Sequence, residues 1–234
     1  MTKKYIFNFV ILIMMLILFT GCTGIESETK EASIEDKAKS EIEYLEDEIF
    51  TVLNKYSKNE YMTDDDTVDW EKVNTETQKV GKVLDTMILD FGEAKISNDE
   101  LNKFRTEINN LLISTSSGDE RTFFYSISNL YSLLPEYYGK FSGDNNKKDI
   151  MTLKSLVLKS YVNSHFLEWD GAKANANFAE NKYKEMADNL DYMKEYSYNL
   201  NKTYVLVEEF KNAVDAEQAE LSKTKYINFI EKTE

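Results

Sequence analysis

The sequence predicts an all-α protein, in which antiparallel helix pairs gather into a bundle or short solenoid of about eight helices. Three observations lead there. Apolar residues recur at steps of three and four along most of the chain, the period of a helix with one buried face. One proline and eight glycines in 234 residues are too few for the turns of a sheet-rich fold or the βα turns of a doubly wound one. Two tryptophans, Trp70 and Trp169, open segments of the same spacing 99 residues apart, the mark of an internal duplication.

The first helix is expected from Ile34, with Ala38, Ile42, Leu45, Ile49, Val52 and Tyr56 on its apolar face. A polar loop from Lys58 to Asp66 ends it. The second starts at Asp69-Trp70 and carries Val73, Thr77, Val80, Leu84, Met87 and Phe91. Ser97 followed by Glu100 has capping-box spacing and starts the third, with Leu101, Phe104, Ile108, Leu111 and Leu112 buried. Ser116-Ser117-Gly118-Asp119 is expected to break it. The fourth presents Phe123, Ile127, Leu130, Leu134 and Tyr138, and Pro135 within it predicts a kink or a break. Ser142 to Asn146 reads as a loop and as the mid-chain boundary.

Beyond that loop the outline repeats. Residues 149–166 predict a helix apolar nearly all round, hence central in the packing. A second Trp-helix follows, bearing Trp169, Ala172, Ala176, Ala179, Tyr183, Met186 and Leu190. At the constant offset Val73 matches Ala172, Val80 matches Ala179, Met87 matches Met186 and Phe91 matches Leu190. Acids flank each Trp (Asp69 and Glu71; Glu168 and Asp170), as suits a helix N-terminus and its dipole. A seventh helix is read from Leu200, Tyr204, Val207, Phe210, Val214 and Leu221, and a short last one from Tyr226, Ile227, Phe229 and Ile230. The expected organisation is residues 34–142 as one four-helix unit and residues 147–234 as a second, shorter at its end and packed on the first.

The Trp-helices resemble the second helix of a tetratricopeptide repeat, in which an aromatic precedes small residues at this spacing. Glu168-Trp169 through Ala172, Ala176 and Ala179 is the closer match. The resemblance covers about twenty residues per half and implies antiparallel helix pairs stacked side by side.

Ahead of these helices lies a different kind of segment. Lys3 and Lys4 precede an apolar run from Tyr5 to Phe19, interrupted by Asn8, and Thr20-Gly21-Cys22 follow. A basic start, a short apolar run and small residues have the layout of a secretory signal peptide, and the run falls short of the ~20 residues needed to span a bilayer. Phe19-Thr20-Gly21-Cys22 resembles the lipobox of bacterial lipoproteins, although Phe19 stands where that family usually has Leu. The resemblance implies a signal peptide over residues 1–21, a diacylglyceryl group on Cys22, cleavage just before it, and a place on the outer face of the cell membrane, in an envelope of the Gram-positive type. Residues 22–33 then form the lipidated Cys and a flexible tether. The alternative is an uncleaved signal anchor. Cys22 is the only cysteine, so the helical body must fold without intrachain disulfides.

Charge narrows the partners. Acids outnumber Lys and Arg by 42 to 28. Removal of residues 1–21, which carry two lysines and no acid, takes the net charge from −14 to −16. Such a body repels nucleic acid and has no polybasic grip on anionic lipid, so membrane attachment rests on Cys22. No cofactor is expected. His165, the only histidine, lies beside Leu158, Tyr161 and Val162 and reads as a hydrogen-bonded core or interface residue, since no second His, free Cys or Gly-x-Ser-x-Gly accompanies it. Asp64, Asp65, Asp66 and Asp69 are the densest acidic cluster, but an EF-hand fails where Val68, Asp69 and Thr75 stand. A solvated loop and a helix-terminal charge are expected there, and Asp144-Asn145-Asn146 reads the same way. Tyr137 and Tyr138 read as core. Three functions follow from these readings: a non-enzymatic helical binding or scaffolding module holding an envelope protein, a capture protein for a cation or small solute feeding an importer, and, least favoured, an enzyme using paired carboxylates.

Overall fold

A computed structural model describes residues 33–93, 96–142, 145–188 and 190–233. Eight helices lie among them: α1 (Ile34–Ser57), α2 (Trp70–Glu93), α3 (Asn98–Ser117), α4 (Glu120–Ser142), α5 (Asn145–His165), α6 (Trp169–Asp188), α7 (Leu190–Asp215) and α8 (Ala219–Thr233). The only β pairing among the described residues is an isolated bridge between Met62 and Val68. The segment around Cys22 lies outside the described residues.

Local signals account for the helix ends. Ser33 Oγ accepts the Asp36 N–H at 3.1 Å to start α1. Asp69 Oδ1 accepts from Lys72 N at the start of α2, and Ser97 with Glu100 closes a reciprocal capping box on α3. Asp119 Oδ1 accepts from Thr122 N at the start of α4. Each bond satisfies an amide that the helix itself leaves open. Gly118 ends α3 at φ 72°, and a Cβ there would stand 3.2 Å from Trp70 Cδ1, so both backbone and space favour glycine.

Five expectations need correction. The helix is continuous through Pro135, so the break is absent; the proline is buried, and burial offsets the one amide bond it forgoes. Asn145 and Asn146 belong to α5 rather than to a loop, because ion pairs of Lys147 with Glu43 (3.0 Å) and Asp149 with Lys182 (2.8 Å) hold its first turn to α1 and α6. Leu190 opens α7 instead of closing α6, after the turn-prone Asp188-Asn189, so its match to Phe91 does not hold. Leu221 belongs to α8 and is exposed. Ser116 and Ser117 also stay helical, their hydroxyls bonded back to Leu112 O and Ile113 O.

The duplication is written in the backbone. At the end of α1, Lys58 N bonds Asn54 O, Asn59 N bonds Tyr56 O and Glu60 N bonds Lys55 O. The same three bonds recur 108 residues on, from Phe166 to Val162, Leu167 to Ser164 and Glu168 to Asn163. Asn59 and Leu167 share the left-handed conformation, at φ 61° and 59°. From Asp69 onward the offset is 99. Val73 N to Asp69 O pairs with Ala172 N to Glu168 O, and Asp119 N to Ser114 O pairs with Gln218 N to Ala213 O. Phe123 N to Asp119 O likewise pairs with Ser222 N to Gln218 O. The nine-residue difference is the stretch before Asp69 that the Met62–Val68 bridge folds back; in the second copy Glu168 alone ends one helix motif and begins the next.

Within copy 1, α1 meets α2, α2 meets α3, α3 meets α4, and α4 returns to α1; α5 to α8 repeat that closed ring. The copies join through α4 against α5 and α1 against α8. The helices thus form two rows, α3-α4-α5-α6 over α2-α1-α8-α7, a closed bundle rather than a solenoid. Exchanging the copies exchanges the two joining contacts, as in an isologous dimer. Ser33–Glu234 is one compact unit with a continuous hydrophobic cluster from Ala38 to Ile230. As expected, α5 is central, burying residues on several faces, among them Leu153, Val157, Leu158 and Tyr161. Small side chains draw α6 close to it, near enough for Ser160 Oγ to donate to Ala172 O at 2.7 Å.

Candidate functional site

Alternating helix direction brings the ends of α1 and α5 and the starts of α2, α4 and α6 to one end of the bundle. There Glu120, in the first turn of α4, accepts from the Tyr56 hydroxyl of α1 at 2.8 Å through Oε1. His165 Nε2 of α5 lies 3.0 Å from the same oxygen. The imidazole, ahead of the phenol, holds the Glu120 carboxyl below the usual carboxylate range, while burial first and Glu120 second push the Tyr56 hydroxyl up. An aromatic floor fixes the group. The Tyr56 ring stacks on Phe123 (5.5 Å), Trp70 meets Phe123 edge-on (5.9 Å), and the His165 ring lies 4.7 Å from Phe124 and 4.8 Å from Phe166.

Beside it is a second, more open cluster. Glu168 accepts from Tyr125 OH and pairs with Arg121, and the same phenol oxygen lies 3.1 Å from the Asn163 side-chain amide. Asn163 has room because Gly171 faces it: a Cβ there would stand 2.7 Å from Asn163 Nδ2. The Arg121 guanidinium lies 4.9 Å over the Phe166 ring, which itself stacks on Tyr125. Leu167, at the tip of this turn, is 63% exposed. An aromatic shelf, a half-exposed guanidinium and an exposed leucine therefore share one surface.

Two grooves flank α1 and α2. One, of about 490 Å3, opens beside this end and is lined by Lys55, Glu60, Tyr61, Asp69, Lys72 and Glu76 among others. Its charges are largely paired, Lys55 with Glu76 (3.2 Å) and Lys72 with Asp69 (3.0 Å). The other, of about 430 Å3, lies nearer the start of α1 and is bordered by Glu41, Tyr44, Lys79 and Lys82. Glu41 faces Asp90 across the α1–α2 pair. Burial, then the hydrogen bond and repulsion from Asp90, push the Glu41 carboxyl up to about 7, and its Oε2 is buried without a donor. The Glu41 carboxyl therefore holds its proton to a higher pH than an ordinary glutamate.

Of the residues singled out by sequence, His165 is hydrogen-bonded but stands half-buried at a helix end rather than in the core, with a carboxylate partner the sequence did not reveal. The hydroxyl next to it in sequence, Ser164, is buried and donates to Tyr161 O, so the imidazole faces a carboxylate and aromatic rings. Asp64, Asp65 and Asp66 are exposed in the turn, and Asp69 caps α2, its carboxyl held down first by Lys72. No group of three or more His, Cys, Asp or Glu placed to hold a metal ion occurs among the described residues. Asn145 and Asn146 are helical; Asp144 lies outside the described residues, as Cys22 does. Tyr137 packs on Phe104 at 4.9 Å, and Tyr138 donates to Glu43 at 3.0 Å, both as core. Glu120, Arg121, Glu168 and the Glu41–Asp90 pair carried no local signal, because each partner lies dozens of residues away.

No family model, curated protein or solved structure matches the chain.

Proposed function

We propose that the chain is a lipid-anchored extracytoplasmic lipoprotein of a bacterial cell membrane whose helical body is a non-enzymatic binding or scaffolding module. The reading of an anchor rests on residues 1–22; no described helix is long and apolar enough to cross a membrane. The observation that carries the binding role is the Arg121–Tyr125–Phe166–Leu167 surface. It offers a rigid aromatic shelf, a cation and an apolar tip, the residue types that anchor protein interfaces. The shelf lies at the end of the bundle where α1 closes, and α1, with 24 residues, puts it roughly 36 Å from Ser33 at ~1.5 Å per residue. The partner envisaged is an envelope protein.

Two measurements test this. Cys22→Ser should abolish lipid labelling and either release the body or leave a precursor; unchanged labelling and size sink the anchor. Proximity labelling from the anchored protein should return neighbours that disappear in Arg121→Ala/Leu167→Ala. A neighbour set identical to that of an unrelated lipoprotein removes the scaffolding role.

Cation capture is the second reading, and the Glu41–Asp90 pair favours it, since paired carboxylates are stabilised by a cation as well as by a proton. Thermal melts with Ca2+, Mn2+ or Zn2+ should then rise, by about 2.7 kcal/mol of stability at a hundred times Kd, and the rise should vanish in Glu41→Gln. No shift with any of the three rejects it.

A further inference from the structure

The most deeply buried charges among the described ion pairs are Glu46 of α1 and Lys154 of α5, whose side chains are 6% and 7% exposed and lie 3.2 Å apart. They stand 108 residues apart, the offset that relates α1 to α5. Each is therefore the counterpart of the other in the two copies. In an isologous arrangement a residue that touches its own counterpart lies on the two-fold axis. The pair sits at the centre of the joint between the copies.

Its surroundings are one-sided. Tyr131 OH donates to Glu46 Oε1 at 2.8 Å, the Phe50 ring lies 5.3 Å under the Lys154 ammonium, and Phe50 meets Tyr131 edge-on at 4.8 Å. All three belong to copy 1. Their counterparts in copy 2 are Lys154, Ile230 and Leu158, of which Ile230 and Leu158 are fully buried and apolar. Copy 1 thus supplies a complete cation socket of carboxylate, phenol and ring, and copy 2 supplies the cation within an aliphatic wall.

We propose that Glu46 and Lys154 are the recognition code of this internal interface, selecting copy 1 against copy 2 and rejecting like-with-like pairing with a second copy of this chain. A joint between two first copies would bury two facing Glu46 carboxylates. One between two second copies would bury two ammonium groups with Ile230 where Tyr131 should be. Either leaves a buried charge uncompensated, whereas the observed pairing alone is neutral. The pair acts through specificity, the role that single buried polar residues play in fixing coiled-coil partners.

The test uses the full chain in detergent. Glu46→Met and Lys154→Met should each raise the unfolding equilibrium constant by more than about a hundredfold, the consequence of stranding one buried charge. The reversed pair Glu46→Lys/Lys154→Glu should recover part of that loss, because the pair is again neutral although its carboxylate no longer meets Tyr131, and should keep the oligomeric state of the unmodified protein. Glu46→Met/Lys154→Met should be as stable as the unmodified protein and yet, refolded at high concentration, give a larger oligomer fraction by light scattering. A reversed pair no better than the single variants overturns the proposal. So does a Met pair whose oligomer fraction equals that of the unmodified protein, since the charges would then stabilise without selecting.

Discussion

Copy 1 and copy 2 share helix ends, turn bonds and neighbours, yet their cores are built from different residues. Tyr56, Phe123 and Tyr131 of copy 1 correspond to Ser164, Ser222 and Ile230; Leu53, Leu84 and Ile127 correspond to Tyr161, Tyr183 and Tyr226. Nearly all of these are buried, so aromatic volume has moved between positions rather than left the core. The cost of the exchange is visible in copy 2, where Ser222 Oγ and Tyr226 OH are buried without hydrogen-bond partners. What the unit holds fixed is the period of its apolar faces and the chemistry of its turns; the identity of each core residue is negotiable if total volume is kept.

The largest way to break this comparison is at its most unequal position. Phe123→Ala should cost about 3–5 kcal/mol in urea unfolding, for it removes the ring on which Tyr56 and Trp70 rest. Ser222→Ala, the same position in copy 2, should be neutral or up to about 1 kcal/mol more stable, because an unpartnered buried hydroxyl is lost. Equal losses would mean that the copies are not equivalent there.

The turn into α4 and its counterpart into α8 give a smaller contrast. Gly118 and Glu217 both take left-handed conformations, at φ 72° and 55°. Gly118→Ala should cost about 1–2 kcal/mol from the backbone alone, with crowding of Trp70 added. Glu217→Gly should relieve a similar strain and gain up to about 1 kcal/mol, less whatever its exposed 2.6 Å pair with Lys173 contributes.

A pH experiment separates the copies more gently. Glu41 of copy 1 faces Asp90, but its counterpart Asp149 faces Lys182 at 2.8 Å. Glu41 titrates near 7 in the folded chain against 4.5 ordinarily. A raised acid binds its proton more tightly when folded, so the stability it contributes is fully present below about 4.5 and is lost as pH climbs towards 7. Glu41→Gln should flatten the fall of the urea midpoint across that window. A fall of the same steepness in Glu41→Gln would discard the raised Glu41 carboxyl.

Helix number, most boundaries, the capping box at Ser97 and the duplication were legible because they are local or periodic. Sequence reasoning lost accuracy where tertiary contacts overrule local preference. Pro135 is carried by packing, and Asn145 is helical because Lys147 and Asp149 reach neighbouring helices. The charge groups were illegible for a different reason. Glu120 with His165, Glu41 with Asp90 and Glu46 with Lys154 are joined across 45 to 108 residues by helix docking alone. The lone histidine attracted attention in the sequence, whereas its carboxylate was one acid among 42. The nine-residue shift in offset within copy 1 was equally hidden, since the Trp-helices alone give a constant 99.

The closed ring of contacts makes the order of the copies along the chain immaterial. α1 and α8 pack side by side and run in opposite directions. α8 is nine residues shorter than α1, and Glu231 near its end pairs with Lys58 at the end of α1 at 2.6 Å, so the return to the start of α1 takes a linker of about ten residues, with a reach of roughly 33 Å. A circular permutant opened at residues 143–144 and closed from Thr233 to Ser33 would present α5–α8 first and α1–α4 second. It should reach the same fold, with Lys154 arriving on the ribosome before the socket that receives it.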